Sequence, residues 1–177
     1  MSYKPTFDAE KSVAATAYLA HGTGESMYPI LKMLYLVDKC HLERYGRPVT
    51  GDRHVAFKEG PAPSAIYDLM KFLRGEHQYS DYSEARDFLN VNATTHAVTV
   101  VKMPDLDVLS PSDLECLDEI LALYREKGKW HVIDVSHDEA WKATSRNGFM
   151  DIKTIAAACE GGPVLIQHLA ERFPDAA

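Results

Sequence analysis

The sequence predicts an α+β fold, a predominantly helical single domain with a small antiparallel three-stranded sheet or hairpin. Three observations carry this. Apolar residues recur at helical spacing over most of the chain, and the period changes to two at residues 53–58 and 88–103. No Pro/Gly/Ser linker, repeat or low-complexity tract divides the 177 residues. The chain is 46% apolar and 10% aromatic, the composition of a folded protein rather than a disordered one.

Asp8 is placed to cap a first helix, in which Val13, Ala14, Ala17 and Tyr18 recur at helical spacing before Gly22 and Gly24 end it. A second helix is expected from about Tyr28 to Tyr45, with Gly46 as its stop. Its residues Ile30, Leu31, Met33, Leu34, Leu36, Val37 and Cys40 wrap more than half the circumference, which marks a helix central to the fold. Lys32, Lys39 and Glu43 form the narrow strip expected to face solvent. Arg53 to Lys58 alternates as a short strand would, and Gly60-Pro61-Ala62-Pro63 ends it. Those prolines suit the first turn of a third helix that buries Ile66, Leu69, Met70 and Leu73 and stops at Gly75. Val and Thr at period two from Phe88 to Met103, around Asn92-Ala93-Thr94-Thr95, predict a hairpin, to which residues 53–58 would add the third strand.

Ser110 then caps, and Pro111 opens, a helix striped by Leu114, Leu117, Leu121 and Tyr124 and ended by Gly128. Trp130 to Val135 reads as a short helix. Ser136-His137-Asp138-Glu139 reads as a capping box, Ser136 reaching forward and Glu139 back, ahead of a helix containing Trp141. Ile152, Ile155, Ala156 and Cys159 define another helix. After Gly161-Gly162-Pro163 a last one carries Leu165, Ile166, Leu169 and Phe173.

Charge and composition exclude several function classes. Nineteen Lys and Arg against 26 Asp and Glu leave a net charge of −7, which argues against a broad nucleic-acid or anionic-membrane surface. No apolar run exceeds five residues, far short of the roughly 20 that span a membrane. Met1 to Pro5 lacks the apolar stretch of about 7 to 15 residues of a secretory signal, so the cytoplasm is the expected compartment. Cys40, Cys116 and Cys159 are widely separated and flanked by apolar residues, which fits small core side chains rather than a disulfide framework or a zinc ribbon. Residues 32–74 carry eight bases and five acids, whereas residues 105–119 carry six acids and no base. That acidic run is either a solvated helix start or a face turned to a partner.

Ordinary enzyme signatures are absent: no Gly-x-Ser-x-Gly elbow, no GxxxxGK[ST], no GxGxxG after a strand, no HExxH and no CxxC. On the second helix Asp38, His41 and Tyr45 fall at i, i+3 and i+7 on an otherwise apolar surface. Asp38 either orients His41 or pairs with an arginine in a satisfied buried network, or it contributes with His41 to a divalent-metal site completed by His54, Glu59, His137 or Asp138. The segment Tyr45 to His54 and the following Glu59 to Ser64 are dense in Gly, Pro and charge, and display Arg44, Arg47 and Arg53 beside Asp52 and Glu59. The acids either lock those arginines to the scaffold or stand with them on a binding surface. His137 and Trp141 fall near helical spacing with Trp130 and Ile133, as core packing or as partner contacts.

Lys32 to Ala56, read as KMLYLVDKCHLERYGRPVTGDRHVA, followed by Gly60 to Asp68, GPAPSAIYD, closely resembles the core signature of the Panacea domain, the SocA-like antitoxin family. Ser136 to Lys142, SHDEAWK, resembles that family's second landmark. The resemblance extends over roughly residues 8–160 as one domain, with its motif core at 28–75 and 136–142; residues 76–87 match nothing recognisable, and 161–177 read as a C-terminal extension. It implies a cytoplasmic antitoxin of a bacterial or phage toxin–antitoxin pair that binds a cognate toxin protein, with no catalysis, no cofactor and no metal. No separate DNA-binding domain is read, and neither nucleic acid nor membrane is an expected partner. Arg44, Arg47, Arg53, Glu59 and Tyr67 are the expected toxin contacts. Asp38, His41, Tyr45, Asp52, Pro61, Pro63, His137 and Trp141 are the expected scaffold of the signature. Two other readings stay open: an adaptor that delivers a bound toxin to a protease or chaperone, and a metal-dependent hydrolase centred on Asp38 and His41.

Overall fold

A helix with apolar residues on every side has to be surrounded, and α2 (Met27–Tyr45) is. In the structure, a computed structural model that describes residues 6–76 and 80–172, α1 (Ala9–Thr23), α4 (Pro111–Lys127) and α5 (Lys129–Ser136) pack around it. Ile30, Met33, Leu34 and Val37 are fully enclosed, with Ala14, Ala17 and Leu19 of α1 and Leu117 and Leu121 of α4 in the same cluster. The ends follow the capping chemistry. Asp8 accepts from the Lys11 N–H at the start of α1, and Gly24 and Gly46, at φ +66° and +70°, close α1 and α2. At α4 Ser110 and Asp113 cap each other reciprocally, with Pro111 in the first turn. The solvent strip expected on α2 is corrected at Lys32, which is 2% exposed.

The sheet differs from expectation. Among the described residues there are two separate two-stranded antiparallel sheets, not one of three strands. β1 (His54–Phe57) turns back at Lys58-Glu59 onto β2 (Gly60–Pro63), the segment expected only to end it. Two prolines are tolerated because of register. Pro61 and Pro63 face Ala56 and His54, while the neighbouring Ser64 N–H donates to Arg53 O at 2.9 Å, so the prolines occupy the alternate positions whose N–H would point away from the ladder. β1's other edge takes residues 147–150, through Ala56 N–H to Gly148 O and Met150 N–H to His54 O. The predicted hairpin, β3 (Leu89–Val91) with β4 (Val98–Val100), forms around Asn92, whose side chain accepts from the Thr94 and Thr95 N–H groups. Its free groups are taken by the α1–α2 connection, with Val98 N–H donating to Glu25 O and Met27 N–H to His96 O, which leaves the two sheets apart.

α3 (Ser64–Leu73) buries Ile66, Leu69 and Met70 as its spacing requires. Beyond the short α6 (Glu139–Ala143), α7 (Ile152–Ala157) and α8 (Gly162–Arg172) form a second apolar cluster in which Ile155, Leu165 and Leu169 pack with Tyr35 and Leu42 of α2. Phe173 lies outside the described residues, as do residues 1–5. The box expected at Ser136 is corrected: the cap of α6 is Asp138, which accepts from the Trp141 N–H, and buried Ser136 donates back to Ile133 O. No helix among the described residues is long and apolar enough to cross a membrane.

Candidate functional site

The signature loop between α2 and β1 is held by one carboxylate. Asp38 Oδ1 accepts from the Val49 and Thr50 N–H groups at 2.9 and 2.8 Å, and Oδ2 from the Thr50 hydroxyl at 2.5 Å and His54 Nε2 at 3.0 Å. A buried anion with four donors is satisfied in place. Asp52 does the same for α3, whose own N-cap position is Pro63 and offers no side-chain acceptor. Its oxygens accept from the Arg53, Ala65 and Ile66 N–H groups. Burial nonetheless raises the Asp52 carboxyl above the ordinary range. The chain bends between these anchors at Gly51, φ +66°, where any Cβ would collide with the Thr6 carbonyl.

His41, one turn along α2, faces a different network. Its Nδ1 bonds Arg47 O at 2.7 Å and its Nε2 meets Ser112 Oγ at 2.9 Å and Asp113 Oδ1 at 3.2 Å. Burial lowers its basicity, so the neutral ring donates from Nδ1 and accepts the Ser112 hydroxyl at Nε2. The cations that serve wholly buried Asp113 are Lys11 at 2.8 Å and Arg47 at 3.1 Å. Burial would raise the Asp113 carboxyl, but hydrogen bonds from Lys11 and Ser110 hold it below the ordinary carboxylate range. Arg44 pairs with Glu115 and Glu119, and Tyr45 donates to Glu115 at 2.7 Å while its ring tilts over His41 at 4.6 Å. The basic and acidic stretches of the sequence therefore meet each other. Arg44 and Arg47 are held by acids of α4, and not by Asp52 or Glu59. Asp38 and His41 do not converge on a common point, and among the described residues no group of three His, Cys, Asp or Glu is arranged to hold a metal ion.

The two parts of the signature are brought together at the β1–β2 hairpin. Asp138 accepts from Tyr35 Oη at 2.8 Å and Lys39 Nζ at 2.6 Å, Trp141 Nε1 donates to Phe57 O at 2.9 Å, and the Trp141 and His137 rings meet edge to face at 4.6 Å. Below the hairpin Lys32 donates to Pro61 O at 2.8 Å and lies over the Tyr28 ring. Burial lowers its ammonium to about 7, against the opposing pull of Glu59. Glu59 itself stands exposed at the turn, and Tyr67 is half-buried edge-on to Phe57.

Arg53 alone among the three arginines of this segment has no acidic partner among the described residues. Its guanidinium lies 3.4 Å from the centre of the Phe149 ring, and Phe149 is 50% exposed. The pair stands at the edge of a cleft of about 320 Å³ lined also by Lys39, Leu42 and His54 and by the carboxyl-bearing Asp38, Asp52 and Asp151. Sequence reasoning missed Phe149, because an aromatic residue in an irregular segment carries no periodic signal; what brings it here is the pairing of residues 147–150 with β1.

The sequence matches the family model described as Antitoxin SocA-like, Panacea domain over residues 30–142. No curated protein and no solved structure matches.

Proposed function

Because the chain belongs to the SocA-like antitoxin, Panacea-domain family, we propose that it is the antitoxin of a toxin–antitoxin pair and neutralises its toxin by binding it directly. The observation that carries the choice of surface is the Arg53–Phe149 pair. An arginine without a carboxylate, pre-ordered on a half-exposed ring beside a cleft, has the chemistry of an interface anchor. It suits a toxin surface that presents a carboxylate next to apolar area.

The other expected contacts divide by what holds them. Glu59 is exposed at the hairpin turn, and the pairs of Arg44 with Glu115 and Glu119 are exposed on both sides, so both can be re-formed with a partner at little cost. Tyr67 offers the outer edge of a half-buried ring. Arg47, committed to buried Asp113, positions the loop. Direct occlusion is favoured over hydrolysis centred on Asp38 and His41, since the first is occupied by four donors and the second by the Arg47 carbonyl and Ser112.

Co-expression with the protein encoded next to it in its native genome tests the reading. Arg53→Ala and Phe149→Ala should each weaken the captured complex by about 30-fold, the equivalent of about 2 kcal/mol, at an unchanged melting temperature. Undiminished affinity and protection with an intact fold would place the surface elsewhere. Failure of the unaltered chain to form any complex would remove the function itself.

A further inference from the structure

Cys40 and Cys116 lie 76 positions apart in sequence and 3.1 Å apart at their sulfurs. Cys40 is on α2, half-buried; Cys116 is on α4, wholly enclosed in the core. Both are free thiols. The third, Cys159, sits in the other apolar cluster and donates to Ile155 O. We propose that Cys40 and Cys116 are a modification site that a peroxide converts reversibly into a disulfide joining α2 to α4.

The geometry supports it in two ways. A disulfide bond is about 2.05 Å long, so the sulfurs, at 3.1 Å, have about 1 Å left to close. The two thiols are also unequal, as the chemistry requires. Cys40 is the accessible one, and Arg44 stands one turn further along α2. The contact with Cys116 lowers the Cys40 thiol, with burial and Glu119 pulling against it and Arg44 with it, while the same contact and burial raise that of Cys116. Cys40 is thus the attacking sulfur and Cys116 the resolving one.

In the first step the Cys40 thiolate attacks one oxygen of hydrogen peroxide. The O–O bond breaks, the departing hydroxide takes a proton and leaves as water, and Cys40 becomes a sulfenic acid. In the second, Cys116 gives up its proton and attacks the Cys40 sulfur; the S–O bond breaks and the hydroxide leaves as a second water. Two electrons pass from the paired sulfurs to the peroxide, and a thiol reductant reverses the change by exchange. The new bond would lie in the seam that also carries Arg44–Glu115, Arg47–Asp113 and His41–Ser112, so oxidation would lock the α2–α4 face in the arrangement seen here.

The test uses the purified full chain, reduced, desalted and treated with hydrogen peroxide. Denatured thiol titration should fall from three to one, peptide mapping should find Cys40 linked to Cys116, and the melting temperature should rise by about 5 to 10 °C and return with dithiothreitol. Cys159→Ser should leave the cross-link intact. Cys116→Ser, which removes one sulfur and little volume, should let dimedone trap a sulfenic acid at Cys40. Three surviving thiols after peroxide, a bond to Cys159, or a bond between two chains would each overturn the proposal.

Discussion

Arg47 and Asp113 meet at 3.1 Å with the carboxylate wholly buried and the guanidinium 40% exposed. A loop that precedes β1 is thereby tied to the first turn of α4, more than sixty positions away in the chain. Because Lys11 and the Ser110 N–H also bond this carboxylate, one side chain joins α1, the signature loop and α4. Asp113→Ala should cost about 3 kcal/mol, since it removes a helix cap and leaves two cations without their anion. Arg47→Ala should cost clearly less, because Lys11 stays. Urea unfolding of both variants measures the difference. With the Asp113 carboxyl held below its unfolded value, its stabilisation is complete above about pH 4 and is lost as pH falls through the lowered native value; Asp113→Ala should therefore flatten that acid limb.

Asp38 closes the loop by accepting from two backbone N–H groups, a hydroxyl and an imidazole. Asp38→Ala leaves four buried donors without an acceptor and should destabilise by at least about 3 kcal/mol. Hydrogen exchange should accelerate first at Val49 and Thr50. Exchange at these amides that stays at the wild-type rate in a folded variant would contradict the assigned role.

Gly60 sits at φ +99°, and a Cβ there would come within 2.7 Å of His137 Nε2 and 3.1 Å of Lys32 Cε. Gly60→Ala should lower stability by about 2 kcal/mol through a combination of backbone strain and this collision. Adding His137→Ala relieves the collision and leaves the strain. The double variant should therefore lose less than the sum of the two single ones, a non-additivity that a double-mutant cycle reads directly.

Lys32, lowered by burial to about 7 from an ordinary value near 10.5, makes stability depend on pH in a defined direction. Between these two values the unfolded chain holds a proton that the native chain has lost, so stability rises with pH across that window. Glu59 opposes the shift and limits its size. Denaturation midpoints at pH 7 and pH 9.5 should differ in the wild type, with the higher value at pH 9.5. Lys32→Met, which keeps the stem and deletes the ammonium, should remove most of that difference; an equal slope in the variant would assign the dependence to other groups.

What was legible in the sequence is what local chemistry decides. The caps at Asp8 and Ser110, the stops at Gly24 and Gly46, the encircling apolar surface of α2 and the Asn92 turn all depend on residues within one or two turns of each other, and the signature at residues 32–68 pointed to the family. Tertiary structure decided the rest, because it depends on which groups remain unsatisfied once the elements pack. Lys32 reads as surface by type and becomes buried because β2 lays the Pro61 carbonyl across it. Asp38 and His41, neighbours on α2, part company because the loop brings amides to one and α4 brings a hydroxyl to the other. Spacing along a helix places side chains on a face; only the opposing chain settles what each of them bonds, and that is why Phe149 and the Cys40–Cys116 contact emerged from the fold alone.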